Sequence, residues 1–410
     1  MAGPRSNSSA LFDTRGEFAR DIPVELIVDW LQRDQTAQAA HEILAPYRVT
    51  GSVVVSDSAG LTRMTYEREP LEVMALINEP KELLHHFGVA IGGQAMGVWV
   101  ADNTEMFYPD TVDCGTIACM LLAVQDRIRA ECEVQVGIAA TFDTYFRIGN
   151  ALYGAAADAV ESLGEDRTGP GEIVVTRPFW ERVAPEGSAG LQACERSRLS
   201  CAFGDGLRLL GGNRLPWPEP VEGRYPMPFS SDFYELLCTA KTRQVDAETL
   251  RNTVATRFAR NATVVLVERE PTQAETVEAT VLQQMTRAAI AGAEGARLLS
   301  STSGIEVKTA GSLSIYVFES PSEAWAFAAS LRTALEANGI ATRTGIATGL
   351  VLVFDLEQGG REISGSPVNL ASKVAQDCGE FGKMYALEPM PGSTPESFHV
   401  AGLNIPVWIA

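Results

Sequence analysis

The sequence is poor in the residues that build metal centres and disulfide frameworks. It has only four histidines, at 41, 85, 86 and 399, and seven cysteines, at 114, 119, 132, 194, 201, 238 and 378. No two cysteines stand in C-x-x-C spacing, their number is odd, and the histidines form no ligand pattern. A zinc site or a disulfide framework is therefore not expected. The thiols read as reduced core residues, so the expected location is the cytoplasm. Positive charge is scarce too: 33 Lys and Arg face 52 Asp and Glu, a net charge of −19. General nucleic-acid binding and anionic-membrane binding both need clustered Lys and Arg, so neither partner is expected. No uninterrupted apolar run reaches the roughly 18 residues of a membrane span. The opening "MAGPRSNSSALFDTRGEF" also lacks the apolar core of a secretory signal, so no membrane insertion is expected.

What the chain does have is apolar content and length. Its 410 residues are 46% hydrophobic, enough for more than one core. Residues 1–20 read as a flexible polar arm. Residues 21–47 read as a helical segment, with Val24, Ile27, Val28 and Leu31 at helical spacing, Pro23 suited to a first turn and Pro46 to a stop. From residue 48 the β-branched run "RVTGSVVVSDSAGLT" ends on Asp57 and opens into a small-residue turn, the grammar of a strand and loop. A helix, the apolar strand "GVAIGGQAMGVWV", a second helix, the strand "VQVGIAATF", a third helix "NALYGAAADAVESLG" and the strand "GEIVVT" follow.

The same order returns from residue 259. The strand "NATVVLVERE" ends in acid, "GIEVKTAGSLSIYVFE" reads as a strand pair, and Ser320 is a candidate cap for the next helix. Then come "ATRTGIATGLVLVFD" and "EISGSPVNLASKVAQDCGE", a strand, a Gly-Ser-Pro turn and a helix that sets Asn369 and Lys373 on one face. A repeat this long means two copies of one domain, at residues 48–185 and 259–410. Between them, residues 186–258 are rich in Gly and Pro without periodicity and read as a connector with some helix.

The element order and "GSPVNLASK", from Gly365 to Lys373, resemble the catalytic domain of class III adenylyl/guanylyl cyclases, whose helix start reads G-x-x-V-N-L-A-x-R. "RTGIATG" resembles that family's R-x-G-I-x-x-G strand, and "DSAGLT" its D-[IV]-x-G-[FY]-T loop, with Asp57, Gly60 and Thr62 in register. The resemblance implies an α/β fold of the α+β, ferredoxin-like kind: two cyclase-type domains, each a mostly antiparallel sheet with covering helices, packed as an intramolecular pseudo-dimer. It implies a purine nucleoside triphosphate between the domains, held with Mg or Mn. By the resemblance Asp57 is a metal carboxylate, and Ser58, Ala59, Gly60, Leu61 and Thr62 form the phosphate loop. Asn369 orients the ribose and Lys373 stands where the family has Arg. Lys308 falls on the purine-reading Lys and Glu362 near its acidic partner. Each residue also has a plainer reading. Asp57 caps a turn, Asn369 satisfies helix donors, the two lysines are solvated, and Tyr153 and Trp99 pack in a core or interface.

The pattern also departs from the family's. The second metal carboxylate is expected between two hairpin strands, a position the sequence assigns to Gly93, with Asp102 or Glu105 as neighbouring substitutes. In the mirror-image site the metal positions read Glu268 and Ser312, and the Asn and Arg positions read Tyr153 and Ala157, so that site is expected to be dead. The stretch from Gly137 to Gly149 is shorter than that from Gly345 to Gly365, as if a hairpin were trimmed. Three functions fit this pattern: a nucleotide-binding regulatory or scaffolding pseudoenzyme, a weakly active adenylyl/guanylyl cyclase, and a self-assembling structural protein without a ligand. Protein partners or self-association are expected for the first and third.

Overall fold

The structure is a computed structural model that describes residues 23–99, 103–183, 190–201, 204–219, 229–242, 247–357, 360–400 and 403–410. The flexible arm expected at residues 1–20 lies outside the described residues. The helical segment that follows is two helices, α1 (Val24–Gln32) and α2 (Ala37–Leu44). The apolar stripe expected there is shifted: Leu26, Ile27 and Trp30 are buried, while Val24 is exposed.

Each half is built on an eight-stranded sheet. The first contains β1 (Arg48–Ser58), β2 (Gln94–Met96), β3 (Thr104–Pro109), β4 (Val136–Ile148), β5 (Ala151–Tyr153), β6 (Ile173–Val175), β7 (Gln192–Cys201) and β8 (Gly204–Gly211). Its order is β2-β3-β1-β4-β6-β8-β7, with β5 paired to β4. The second contains β9 (Ala259–Arg269), β10 (Ile305–Ala310), β11 (Leu313–Phe318), β12 (Thr342–Asp355), β13 (Arg361–Ser364), β14 (Met384–Ala386), β15 (Thr394–Val400) and β16 (Leu403–Ile409). Its order, β10-β11-β9-β12-β14-β16-β15 with β13 on β12, repeats the first strand for strand. Among the described residues, one pair in each sheet, β4 with β6 or β12 with β14, is parallel. A parallel pair needs a long crossover, and one helix supplies it each time.

Helices cover both faces of both sheets. In the first half α3 (Leu61–Glu67) and α4 (Pro70–Ala90) follow β1, and α5 (Cys114–Glu131) follows β3. α6 (Ala155–Arg167) follows β5, and α7 (Arg177–Trp180) follows β6. Leu84 and Phe87 of α4 and the apolar side of α5 pack on Val54, Met106 and Ile138, whereas α6 packs on Val53, Val55 and Ala139 of the opposite face. The alternation along β1 thus feeds two cores. α8 (Ser231–Thr242) and α9 (Ala247–Arg257) precede β9; α10 (Val277–Leu299), α11 (Pro321–Ala337) and α12 (Ser366–Gln376) complete the second half. Ser320 caps α11, its Oγ accepting from the N–H of Glu323 at 3.4 Å.

The stretch expected as a connector, residues 186–258, has more structure than its composition predicts. β7 and β8 form a hairpin that extends the first sheet beyond β6, and α8 and α9 lead into β9. The Gly and Pro residues hid short elements whose apolar partners lie far away in sequence.

Candidate nucleotide site between the two halves

The parallel pairs fix which residues of the two halves correspond. Ile138 faces Ile173 and Thr344 faces Met384 at the start of the two pairings, so the fourth strands are offset by 206 residues. Asp57 pairs with Gly137 and Glu268 with Arg343, so Asp57 and Glu268 are equivalent strand-end acids.

Asp57 is half-buried near the end of β1. Its side chain shares a face with Val55 and therefore with Glu105, the residue opposite Val55 on β3. Burial, with the Glu161 carboxylate adding to it, pushes the Glu105 carboxyl up to about 8, so that it carries its proton at neutral pH. Ser58 is buried. The N–H of Ala59 donates to the carbonyl of Gln135 at 3.0 Å and is committed within the fold. Gly60, at φ +82, is the N-cap of α3. The backbone N–H groups of residues 60–62 face outward from the first turn, as helix geometry requires. The Thr62 side chain lies outside the described residues.

Across the interface α12 begins at Gly365, whose φ of +142 suits glycine; an added Cβ would stand 2.7 Å from the carbonyl of Leu350. The tight turn aims the helix at the other half. Asn369 Nδ2 donates to Thr65 Oγ1 of α3 at 3.4 Å, joining residues 304 positions apart. Lys373, four residues on, forms an ion pair with Asp377 at 3.0 Å along the same helix. Lys308 Nζ meets Glu362 Oε1 at 3.1 Å, and Glu362 is buried. The fold therefore brings Asn369 to the loop-bearing half and pairs Lys308 with Glu362. Thr65 was not singled out from the sequence; no local pattern announces a contact made from the opposite domain.

Two assignments are corrected. Gly93 precedes β2 and does not lie between the hairpin strands, which residues 97–103 connect in sequence. Asp102 falls within that stretch and lies outside the described residues. The positions equivalent to Asn369 and Lys373 are not Tyr153 and Ala157, because the helix start matching Gly365 is Gly154, at φ +122, the N-cap of α6. Counting from that cap gives Asp158 and Ser162. Tyr153 instead ends β5 and packs against an interface cluster, and Ala157 is buried under the first sheet. The trimmed hairpin is present: β4 returns into β5 after two residues, whereas β12 and β13 are separated by residues 356–360.

The mirror-image site is filled by protein. Arg343 Nε meets Glu268 Oε2 at 2.7 Å, Arg343 Nη1 donates to the carbonyl of Gly379, and the guanidinium lies 4.9 Å from the Phe381 ring centroid. A fixed cation thus neutralises the acid whose counterpart, Asp57, faces a glycine.

Gly345, two residues beyond Arg343, sets the height of α12 above the sheet: an added Cβ would stand 1.9 Å from the carbonyl of Ala371. Gly345→Ala is expected to push α12 outward and to cost about 1–3 kcal/mol, read as a lowered urea midpoint. An unchanged midpoint would show that the helix yields freely.

No family model matches the chain, and no curated protein matches it in sequence. Among solved structures, the chain is similar to a class III adenylyl cyclase-like ATP-binding protein from Pseudomonas aeruginosa, with 11% identity, 83% of each chain covered and a TM-score of 0.52. It also matches the adenylyl cyclase CyaB from P. aeruginosa, with 14% identity over 41% of this chain and 96% of that one, at a TM-score of 0.36. The guanylate cyclase domain of RhGC from Catenaria anguillulae, in complex with GTP, matches with 10% identity over 40% of this chain and 98% of that one, at a TM-score of 0.35. The fold is thus that of a two-domain class III cyclase-like protein. Among the described residues no helix is long and apolar enough to cross a membrane, and no group of three or more His, Cys, Asp or Glu side chains is placed to hold a metal ion.

Proposed function

We propose that the protein binds a purine nucleoside triphosphate in the cleft between α3 and α12 and acts in the cytoplasm as a regulatory or scaffolding protein. The observation that supports this reading is the contact of Asn369 with Thr65 across the two halves; Asn369 is the residue to which the resemblance gives the ribose-orienting role. Three features support it. Lys308 and Glu362 offer a donor and an acceptor side by side, a match for a purine edge. Asp57, facing Gly137, keeps an oxygen donor of the hard kind that Mg or Mn prefers. The structure of an ATP-binding relative by fold spans both halves. A bound divalent ion would screen the triphosphate charge; the chain's own part is to present Asp57 and the first-turn N–H groups of α3 to it. Protein partners or a second copy would read the nucleotide state.

Slow or absent turnover follows from Lys373. It keeps the charge of the family's Arg but not its bidentate fork, and it is already engaged with Asp377. One observation favours a weakly active cyclase as the second reading: Gly93 precedes β2, so it does not occupy the position between the hairpin strands where the second carboxylate is expected. In that reading the ribose 3′-oxygen bonds to the α-phosphorus, its proton is lost, and pyrophosphate leaves.

Calorimetry with ATP and GTP in Mg or Mn, with a cyclic-nucleotide assay on the same samples, tests the proposal. Binding weakened at least tenfold (about 1.4 kcal/mol) in Asp57→Ala and in Asn369→Ala, without product, is expected. Mn-dependent product that Asp57→Ala abolishes would select the cyclase reading. No binding of either nucleotide would reject both, leaving a ligand-free assembly protein.

A further inference from the structure

Helices that precede the first strand of each sheet pack across the interface between the halves. A helix pair precedes each first strand: α1 and α2 before β1, α8 and α9 before β9. A hairpin ends each sheet, β7–β8 or β15–β16. By the 206-residue offset, Phe146 and Ile148 of β4 correspond to Leu352 and Phe354 of β12. α1 and α2 bury Leu26, Ile27 and Trp30 against Phe146 and Ile148 of their own half and against Leu282 and Met285 of α10 in the other half. α8 and α9 do the same in the opposite sense. Phe233 and Leu237 pack on Leu352 and Phe354 of their own half and on Leu71 and Met74 of α4 in the other. The Phe233 ring stacks on Phe354 with centroids 4.2 Å apart.

We infer that each helix pair is a strap that fastens the long fourth strand of its own half, β4 or β12, to the first long helix of the opposite half, and that α8–α9 holds the candidate nucleotide cleft closed. Both walls of that cleft end in the strap's seat. On one wall α4 continues from α3, which carries Thr65, through residues 68–69. On the other, β12 leads through β13, which carries Glu362, into Gly365 and α12. Further tethers fix the strap to the second wall: the N–H of Ser230 donates to the carbonyl of Asp355 at 3.3 Å, and the N–H of Val353 to that of Phe258 at 2.9 Å. Lifting α8 removes the apolar bridge between the two walls, so α3 is free to leave Asn369. The α1–α2 strap acts on the mirror side, where Glu278 of α10 binds His41 and Arg48 at 3.3 and 2.9 Å.

Hydrogen–deuterium exchange on the full chain without nucleotide tests this independently of what the cleft binds. In Phe233→Ala, exchange over residues 61–77 is expected to rise at least tenfold together with that over 231–257, while 24–44 keeps its wild-type rate. Faster exchange in the strap with 61–77 unchanged would overturn the inference. Should the variant unfold throughout, wild-type exchange in low urea decides. The strap and residues 71–77 are expected to open with one denaturant dependence, and separate dependences would overturn it.

Discussion

Replacing Arg343 with methionine is expected to destabilise the chain by about 3–5 kcal/mol, the cost of leaving a buried charge without its partner. The Glu268 and Arg343 side chains are only 12% and 18% exposed, and the pair is joined at 2.7 Å. The carboxylate left behind would lie beneath the face covered by α12, because Glu268 follows Leu266 in the alternation of β9 and Leu266 packs with Ala371. Arg269, the next residue, points the other way: it is buried with Ser314 and the carbonyl of Gly311. The double variant Arg343→Met/Glu268→Leu is expected to recover most of the loss, since an apolar pair of similar volume needs no desolvation of charge. Urea denaturation of the four chains of this cycle measures it. Single and double variants of equal stability would mean that the guanidinium acts mainly through Gly379 and Phe381. The same pair gives the mirror site a cation of its own, held between β9 and β12.

Glu105 is expected to make the stability of the first half fall as pH rises from about 5 to 8. Its folded carboxyl is pushed up to about 8 from an ordinary 4.5 by burial, with the charge of Glu161 reinforcing the shift. Below the unfolded value both states hold the proton, and the contribution is fully present. Between the two values the unfolded chain releases its proton and the folded chain keeps it, so unfolding gains. Above about 8 the contribution is gone. Each pH unit is worth about 1.4 kcal/mol, and partial contact with water reduces the total to on the order of 3 kcal/mol. Glu105→Gln keeps the shape and cannot ionise. Urea midpoints at pH 5.5 and 8.5 should therefore diverge in the wild type and converge in the variant, and parallel behaviour of the two would refute the assignment. Because Glu105 shares a face with Asp57, its ionisation also adds negative charge beside the proposed cation site.

The repeat was legible because its strands announce themselves locally. "VVVSD" and "TVVLVER" are apolar runs ending in polar residues, and "GIAA" and "GIAT" mark the central strands. The outermost elements were not. α1, α2, α8 and α9 have 8 to 12 residues each, too few to be stable alone. Their apolar sides answer to β4, β12, α4 and α10, whose positions no local period reveals. The glycine that starts α6 was misassigned for a related reason. "GNALYGAAAD" has two glycines five residues apart, and only the strand pairing decides that Gly149 belongs to the β4–β5 turn and Gly154 to the helix cap. Gly93 was misassigned likewise, because β2 is three residues long and carries no pattern of its own.

By itself the sequence determined the two sheets, their shared order, the acid at the end of each first strand and the helix that carries Asn369 and Lys373. These follow from alternation, β-branching and turn residues, which act over a few positions. The tertiary structure alone decided that Glu268 is neutralised by Arg343 from 75 residues away, which helix start matches Gly365, and that Asn369 meets Thr65. Those are contacts between parts of the chain that only packing brings within a few ångströms, and their energies depend on burial, which no local stretch of sequence reports.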